Sequence, residues 1–467
     1  MAQKLQPNLT ATRREQPTNV RWLILAVLTL IMVVTAFGRL NLGISAKYLQ
    51  DEFQFTTQTM GWILGAFAFG YALFQIPWGW AGDRFGPRVM LTLAMLGWAA
   101  FTMLMAIVPL GSRNHWWNLV WAFAIIRFLT GAGEAASYPN ANRIVANWTT
   151  KSERGMGSSL LLAGVGAGGV LSPILFAATM QRWGWRSSFI LTGALAATVA
   201  VLWFVFATNR PEENARINGA ELAILERATP SLNPHSFRIS GTPWRKIFSS
   251  RSVWGLIFSY VCHGYTPYIY FTWFFIYLTR VRGFTVIKGS LWGATPFIAM
   301  TLMAPLGGWL SDKAVVRFGR RRGRQSTASI GMTCSALLLW SGSHAANNIF
   351  AVLLLAAAAG FSTFAAPSWW ATCIDLTPNH SGALSGLMNT CANMAGGIAP
   401  ILTASIATSL GWTKALDFAA LVNFAAAIIW VFVNANDNLE ADTDAGILLP
   451  AKVTSSVSRR PATNLQV

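Results

Sequence analysis

Apolar runs of about 20 residues recur along almost the whole chain, separated by short polar turns, and each can cross a ~30 Å hydrocarbon layer as a helix. Twelve spans are predicted. Helix 1 covers about 21–46, helix 2 follows a short loop with Asp51 and Glu52 and closes through the stretch 71–88, and helix 3 covers roughly 89–110. Helix 4 lies near 118–148, helix 5 near 157–180, and helix 6 ends near Thr208. The next 43 or so residues are polar, with Glu212, Glu213, Arg216, Glu221, Arg227 and Pro234, and they divide the chain into two sets of six spans. Helices 7 to 12 are expected near 252–279, 289–311, 326–345, 347–374, 382–408 and 415–434. The resulting plan is a tail at 1–19, a six-helix bundle at 20–208, a loop at 209–251, a second bundle at 252–434 and a tail at 435–467. The first apolar run lacks a clear small-residue cleavage site, so it is expected to remain as a span rather than leave as a signal peptide.

Composition sharpens this picture. Only 11% of the residues are charged and 54% are hydrophobic, against about 25% charged in an ordinary soluble domain. The chain is therefore expected to be an all-α, polytopic membrane protein. A net charge of +18 in a soluble protein would point to nucleic acid. Here the basic residues gather in the loops on alternate sides of the spans, as the positive-inside rule requires, so no nucleic-acid partner is expected. With both termini cytoplasmic, eight of the 35 basic residues fall outside and two, Arg39 and Arg127, fall within the membrane. Cys262, Cys334, Cys373 and Cys391 all sit in apolar runs with no C-x-x-C spacing or histidine cluster, so neither a disulfide framework nor a metal site is indicated, and no cofactor is expected.

The charges inside the spans carry the chemistry. A charge at the centre of a membrane helix costs about 2.5–3.5 kcal/mol even on a lenient scale, which marks such residues as functional candidates. Arg127 and Glu134 in RFLTGAGEAASYPNANRIVANW are seven residues apart, two helical turns that return to one face roughly 10 Å along the axis. Gly131 and Gly133 between them leave room for a neighbour or a solute. Arg39 in helix 1 is either an anion-binding guanidinium, fixed in charge and able to grip a carboxylate with its planar fork, or an arginine snorkelling to the far interface. Glu134 is either a proton carrier or one half of a structural ion pair with Arg127. His263 could carry a second proton or simply pack among the aromatics of helix 7, where Tyr265, Tyr268 and Tyr270 pack or gate. Asp375 and Asp417, near helix ends, read as solvated caps.

The two halves also share a motif. Gly79-Trp-Ala-Gly-Asp83-Arg-Phe-Gly-Pro-Arg88 after helix 2 is echoed by Gly308-Trp-Leu-Ser-Asp312 and Arg317-Phe-Gly-Arg-Arg321 after helix 8, with a four-residue insertion. The same turn at the same place in each half implies a parallel repeat about an axis along the membrane normal. Asp83, Arg84, Arg88, Asp312 and Arg317 are expected to act as conformational latches at the cytoplasmic helix ends. The run Arg320-Arg-Arg-Gly-Arg324 reads as an orientation signal that meets lipid headgroups.

These residues resemble the major facilitator superfamily, whose G-x-x-x-D-R-x-G-x-R signature is matched by Gly79, Asp83, Arg84, Gly86 and Arg88. More narrowly, R-x-N-L in helix 1, YALFQIPWGW-AGDRFG, RFLTGAGEAASYPNANRIVANW, FTWFFIYL with RGF, and SGLMNTCANMAGGIAP make the chain similar to the anion:cation symporter family. The resemblance implies twelve transmembrane helices in two six-helix bundles and symport of a small organic anion, such as a hexuronate, aldonate or aldarate, with protons or sodium by alternating access. It assigns the substrate carboxylate to Arg39 and proton coupling to Glu134, with Arg127 in support. It places Tyr71, Gln75, Trp370, Asn389 and Asn393 on the substrate path. Bacterial relatives often carry aspartate directly before the helix 1 arginine, where this chain has Gly38, which leaves Glu134 as the deep carboxylate. A monomeric, proton-coupled carrier in a bacterial inner membrane is expected. The alternatives are a phosphate, dicarboxylate or aromatic-acid carrier, with sodium as the other candidate coupling ion, or a membrane-embedded sensor or enzyme, for which no nucleophile–base pair, metal spacing or appended domain speaks.

Overall fold

The computed structural model describes residues 16–108, 116–150, 153–228, 244–377, 380–437 and 439. All regular structure among them is helical. Among the described residues, ten helices are long and apolar enough to cross a membrane. Helix 7, Arg251–Thr272, is absent from those ten because Tyr260, His263, Tyr265, Tyr268 and Tyr270 lower its hydropathy. Val286–His344 counts as a single stretch but doubles back at Gly319, whose φ of 81° breaks the helix. Arg324 Nη1 reaches Ser311 Oγ and Asp312 Oδ1, both at 2.8 Å, whereas an unbroken helix would hold residues 312 and 324 about 18 Å apart. That reversal yields helices 8 and 9, and twelve spans result.

Helix 1 is Val20–Phe53, helix 2 Thr57–Phe85, helix 3 Pro87–Ile107, helix 5 Arg154–Trp183 and helix 6 Trp185–Phe206. Helix 10 is Asn348–Leu376, helix 11 Ser381–Leu410 and helix 12 Trp412–Ile429. Helix 4 comes in two pieces, Trp116–Glu134 and Ser137–Trp148. The repeat seen in the sequence extends to backbone geometry. Gly86 (φ 90°) joins helices 2 and 3 as Gly319 joins 8 and 9, and Gly184 (φ 79°) joins 5 and 6 as Gly411 (φ 90°) joins 11 and 12. A single left-handed residue suffices for each reversal, and only glycine adopts it without a Cβ clash. The basic stretch expected as a loop after residue 311 is therefore helical on both sides of Gly319, with Arg317 at the end of helix 8.

The end of the bundle that carries Arg88 is tied together by side chains bonding to backbone. Trp148 Nε1 donates to Thr208 O at 3.1 Å and Arg88 Nη2 to Phe204 O at 2.6 Å. Helix 1 has no side-chain cap of its own at Asn19. Glu221, from the short helix Gly219–Ala228 in the central polar segment, takes that role. Its carboxylate, fully buried, accepts from Val20 N at 3.1 Å, Arg21 N at 3.2 Å and Thr18 Oγ1 at 2.6 Å, and lies 3.6 Å from Arg21 Nη1. Free amides and the positive end of the helix dipole both favour an anion there. Glu221→Ala strands these buried donors and is expected to cost about 2 kcal/mol or more, read as a lowered unfolding temperature in detergent; an unchanged temperature would refute the cap.

At the opposite end the two halves meet directly. Gly61 of helix 2 lies against Pro400 and Ala404 of helix 11, Gly43 of helix 1 against Phe271 and Thr272 of helix 7, and Gly169 of helix 5 against Phe297 of helix 8. Asp51 and Arg280 form an ion pair across the halves.

Candidate functional site

Helix 4 is interrupted at Ala135–Ala136. Pro139 removes the amide that would bond the Ala135 carbonyl and crowds it with its ring, and the chain tightens locally, with Ala136 N donating to Gly133 O at 3.3 Å. Glu134 is the last residue before this interruption, and its side chain is fully buried. Gly131 lets helix 4 approach the Phe67 carbonyl of helix 2, and Gly133 admits Trp98 of helix 3. Both glycines thus receive protein neighbours.

Arg39 meets Glu134 from helix 1, with Nε 2.5 Å from Oε1. Its guanidinium lies 4.8 Å over the Tyr71 ring and 5.9 Å from the Phe67 ring. Arg127 does not pair with Glu134. It donates to the backbone of helix 1, Nη1 to Gly38 O at 2.9 Å and Nη2 to Arg39 O at 3.1 Å, with its guanidinium 4.4 Å over Phe67. Seven residues put Arg127 and Glu134 on one face but too far apart along the axis for contact, so the facing helix supplies each with its partner. Gly38 is part of the same packing: a Cβ there would stand 3.1 Å from Glu134 Oε2 and 3.5 Å from Trp98. Arg39 Nη2, Arg127 Nε and Glu134 Oε2 are buried without a hydrogen-bond partner among the described residues. Two guanidinium groups and one carboxylate leave this cluster with one excess positive charge.

The C-terminal half contributes amides. Asn389 Nδ2 donates to Gln75 Oε1 at 3.0 Å across the halves, Asn393 Nδ2 donates to Asn389 O at 2.8 Å, and Tyr268 OH donates to Asn393 Oδ1 at 2.8 Å. Tyr71, Tyr138 and Tyr268 are within electrostatic reach of Arg39. Of the residues that the resemblance assigns to the substrate path, Gln75 and Asn389 bond each other, Asn393 bonds the Asn389 carbonyl, and Tyr71 lies under Arg39. Tyr138 went unremarked, although its place four residues after Glu134 was a signal. Trp370 remains 42% exposed, its ring edge-on to Tyr260 at 6.1 Å.

Other residues fall elsewhere. His263 is held within the C-terminal half, its Nδ1 3.0 Å from Ser362 Oγ and its ring stacked on Trp369 at 5.0 Å, which is the packing arrangement rather than a place beside Glu134. Asp83 stands in helix 2, with its side chain outside the described residues. Arg84 is exposed over Trp80 and Phe85. Arg88 bonds Phe204 and Asn209 of its own half. Asp312 pairs with Arg324 at 2.8 Å, and Arg324 also reaches Asp375 at 3.3 Å. Arg317 lies beside the Phe318 ring. Five helical residues rotate Arg317 about 140° away from Asp312, whereas the reversal at Gly319 carries Arg324 back over it. Asp375 is consequently an ion-pair partner rather than a solvated cap, and Asp417 likewise lies 3.3 Å from Lys414 and 3.5 Å from His344.

Comparison with known proteins agrees with this architecture. The model of the Major Facilitator Superfamily matches residues 28–400, with a second match at 290–463. The chain is 29% identical over 389 residues to a probable sulfoacetate transporter of Cupriavidus necator, covering 83% of this chain and 87% of that one. It is 27% identical over 417 residues to a probable galactarate/D-glucarate transporter of Bacillus subtilis, covering 86% and 89%. Among solved structures, a bacterial homologue of the human lysosomal transporter Spinster, in an inward-facing and occupied conformation, superposes with a TM-score of 0.71 at 17% identity, covering 89% of this chain and 97% of that one, which shows the shared fold. The chain belongs to the Major Facilitator Superfamily: it is a multi-pass membrane transporter, not an enzyme.

Proposed function

We propose that this chain carries a small organic anion, a sugar acid such as an aldarate, aldonate or hexuronate, across a bacterial inner membrane together with protons. The observation that carries the reading is the buried Arg39–Glu134 pair at 2.5 Å, with Arg39 Nη2 unpaired, in a cluster of net positive charge. A buried excess charge is costly, and an incoming carboxylate neutralises it. Protonation of Glu134 weakens its hold on Arg39 and turns the guanidinium toward the substrate; loss of the proton restores the pair and releases the anion. Proton and anion thus occupy the site together. Asn389, Asn393, Tyr268 and Gln75 supply donors and acceptors for hydroxyl groups, Tyr71 backs the Arg39 guanidinium, and the exposed Trp370 ring packs against sugar carbons. The positive-inside rule puts the Arg88 end in the cytoplasm, so the Asp51–Arg280 pair closes the outer side and Arg84, Arg88 and Arg317 line the cytoplasmic helix ends. The two sequence relatives named above support the anion class: the names of both give a substrate that carries a carboxylate.

The test is a thermal-shift screen of purified protein against D-glucarate, galactarate, D-glucuronate, sulfoacetate, succinate and phosphate, followed by uptake into proteoliposomes under an imposed pH or sodium gradient. Stabilisation by a sugar acid, with uptake driven by an inward proton gradient, is expected. Stabilisation by phosphate alone, or uptake that follows sodium and ignores pH, would replace the proposal.

A further inference from the structure

Two buried hydroxyls of the N-terminal half depart from the habit of their neighbours. Thr92, Thr102, Thr130, Thr149 and Thr179 each donate to the carbonyl four residues earlier, the usual way a helical hydroxyl is satisfied. Thr35 on helix 1 and Ser137 on helix 4 are 0% and 1% exposed, yet neither oxygen has a hydrogen-bond partner among the described residues. A buried polar group left this way costs about 1–3 kcal/mol, and such groups call for an explanation.

Their positions supply one. Around helix 1, Thr35 projects between the directions of Gly38 and Arg39, and those two residues face Glu134: Gly38 through its bare Cα against Oε2, Arg39 through the ion pair. Thr35 therefore points at helix 4 one turn nearer the Arg88 end. Ser137 lies three residues beyond Glu134 in the same direction, across a tightened turn in which the Ala136 amide bonds Gly133 O. Residues three apart nearly eclipse in that geometry, so Ser137 shares the face of Glu134. Glu134 Oε2 is itself buried and unpaired. Three oxygens from two facing helices each miss a partner, the two hydroxyls both about one turn nearer the Arg88 end than Glu134.

We propose that Thr35 and Ser137 hold a bridging water against Glu134 Oε2 and that this water and its two hydroxyls are the route by which Glu134 exchanges its proton. The inference rests on the reading of Glu134 as the coupling carboxylate. In the step, the Glu134 O–H bond breaks as its proton passes to the water, the water passes one of its own protons to a hydroxyl oxygen, and that hydroxyl gives up its original proton to solvent water at the Arg88 end. A carboxylate remains at Glu134 and one proton has moved toward the Arg88 end; nothing is oxidised or reduced. A water with these three partners has the number of hydrogen bonds usual for a buried water. The route runs between helices 1 and 4, whereas the amide cluster of Asn389 and Asn393 lies across the halves, so proton and anion leave by separate ways.

The experiment is hydrogen–deuterium exchange of the protonated Glu134 carboxyl, followed by infrared difference spectroscopy on the full-length protein in lipid, with Glu134→Gln identifying the band. The near-isosteric Thr35→Val with Ser137→Ala is expected to slow exchange of that band about tenfold or more, while the hydroxyl-retaining pair Thr35→Ser and Ser137→Thr stays within about twofold of wild type. A purely structural role predicts the opposite sign, because looser packing admits water and speeds exchange. Unchanged or faster exchange in the hydroxyl-free variant overturns the route and leaves the reading of Glu134 standing. Absence of any Glu134-dependent carboxyl band on acidification overturns that reading and the route with it.

Discussion

Glu134→Gln is expected to abolish accumulation of D-glucarate against its gradient in proteoliposomes while leaving counterflow exchange within about threefold of wild type. Glutamine fills the same space between Gly38 and Trp98 and can still accept from Arg39 Nε, so the fold has no reason to change. What it lacks is a titrating proton. A neutral amide also grips Arg39 less strongly than a carboxylate, since charge-assisted hydrogen bonds are roughly twice as strong as neutral ones, so the guanidinium remains available to the anion throughout the cycle. Uphill uptake and downhill exchange should therefore separate by about 100-fold or more in this variant. Full uphill uptake by Glu134→Gln would remove the residue from coupling.

Arg39→Ala has an effect of similar size on a different step. It removes the fork proposed to bind the substrate carboxylate and strands Glu134 as an unpaired buried charge, so both anion affinity and thermal stability should fall. Losing a bidentate charged contact in a desolvated site costs about 3 kcal/mol or more, a fall of roughly 100-fold in affinity. Arg39→Lys keeps the charge but not the planar fork, and about a tenfold loss is expected. The double variant Arg39→Ala with Glu134→Gln separates the two consequences: stability returns because the orphaned charge is gone, and binding does not. D-glucarate affinity from isothermal calorimetry, together with the unfolding temperature of each variant, decides the matter. An affinity unchanged by Arg39→Ala would place the anion elsewhere.

Membrane proteins make much of this readable in advance. Lipid demands that a spanning backbone satisfy itself, so length and hydropathy alone locate helices, and the GWAGDRFGPR repeat exposes the relation between halves. Polar positions inside the bundle carry the weakest hydropathy signal. Helix 7 is legible as an apolar run at 252–279, yet its tyrosines keep Arg251–Thr272 below a strict hydropathy threshold. The stretch Arg317–Arg324 looks like a loop by charge but is helical apart from Gly319, because a helix end that leaves the hydrocarbon loses nothing by being charged. Helix periodicity marks Tyr268 as a packing or gating ring, whereas its hydroxyl bonds Asn393 Oδ1 from helix 11.

The sequence by itself determined that a fixed cation at Arg39, a second at Arg127 and an ionisable carboxylate at Glu134 stand within membrane spans and what chemistry they can offer, while the amides at Gln75, Asn389 and Asn393 were marked by family resemblance. Partnership was decided by the tertiary structure alone. Periodicity along helix 4 relates Arg127 to Glu134, but a side chain spans only a few ångströms, and two turns of helix exceed that reach. Helix 1, 88 to 95 residues away in sequence, brings Arg39 to Glu134 and the Gly38 and Arg39 carbonyls to Arg127. In the same way the left-handed glycine at 319 chooses Arg324 over Arg317 for Asp312. Spacing fixes which face a residue occupies; only the packing of one helix on another fixes what that face meets.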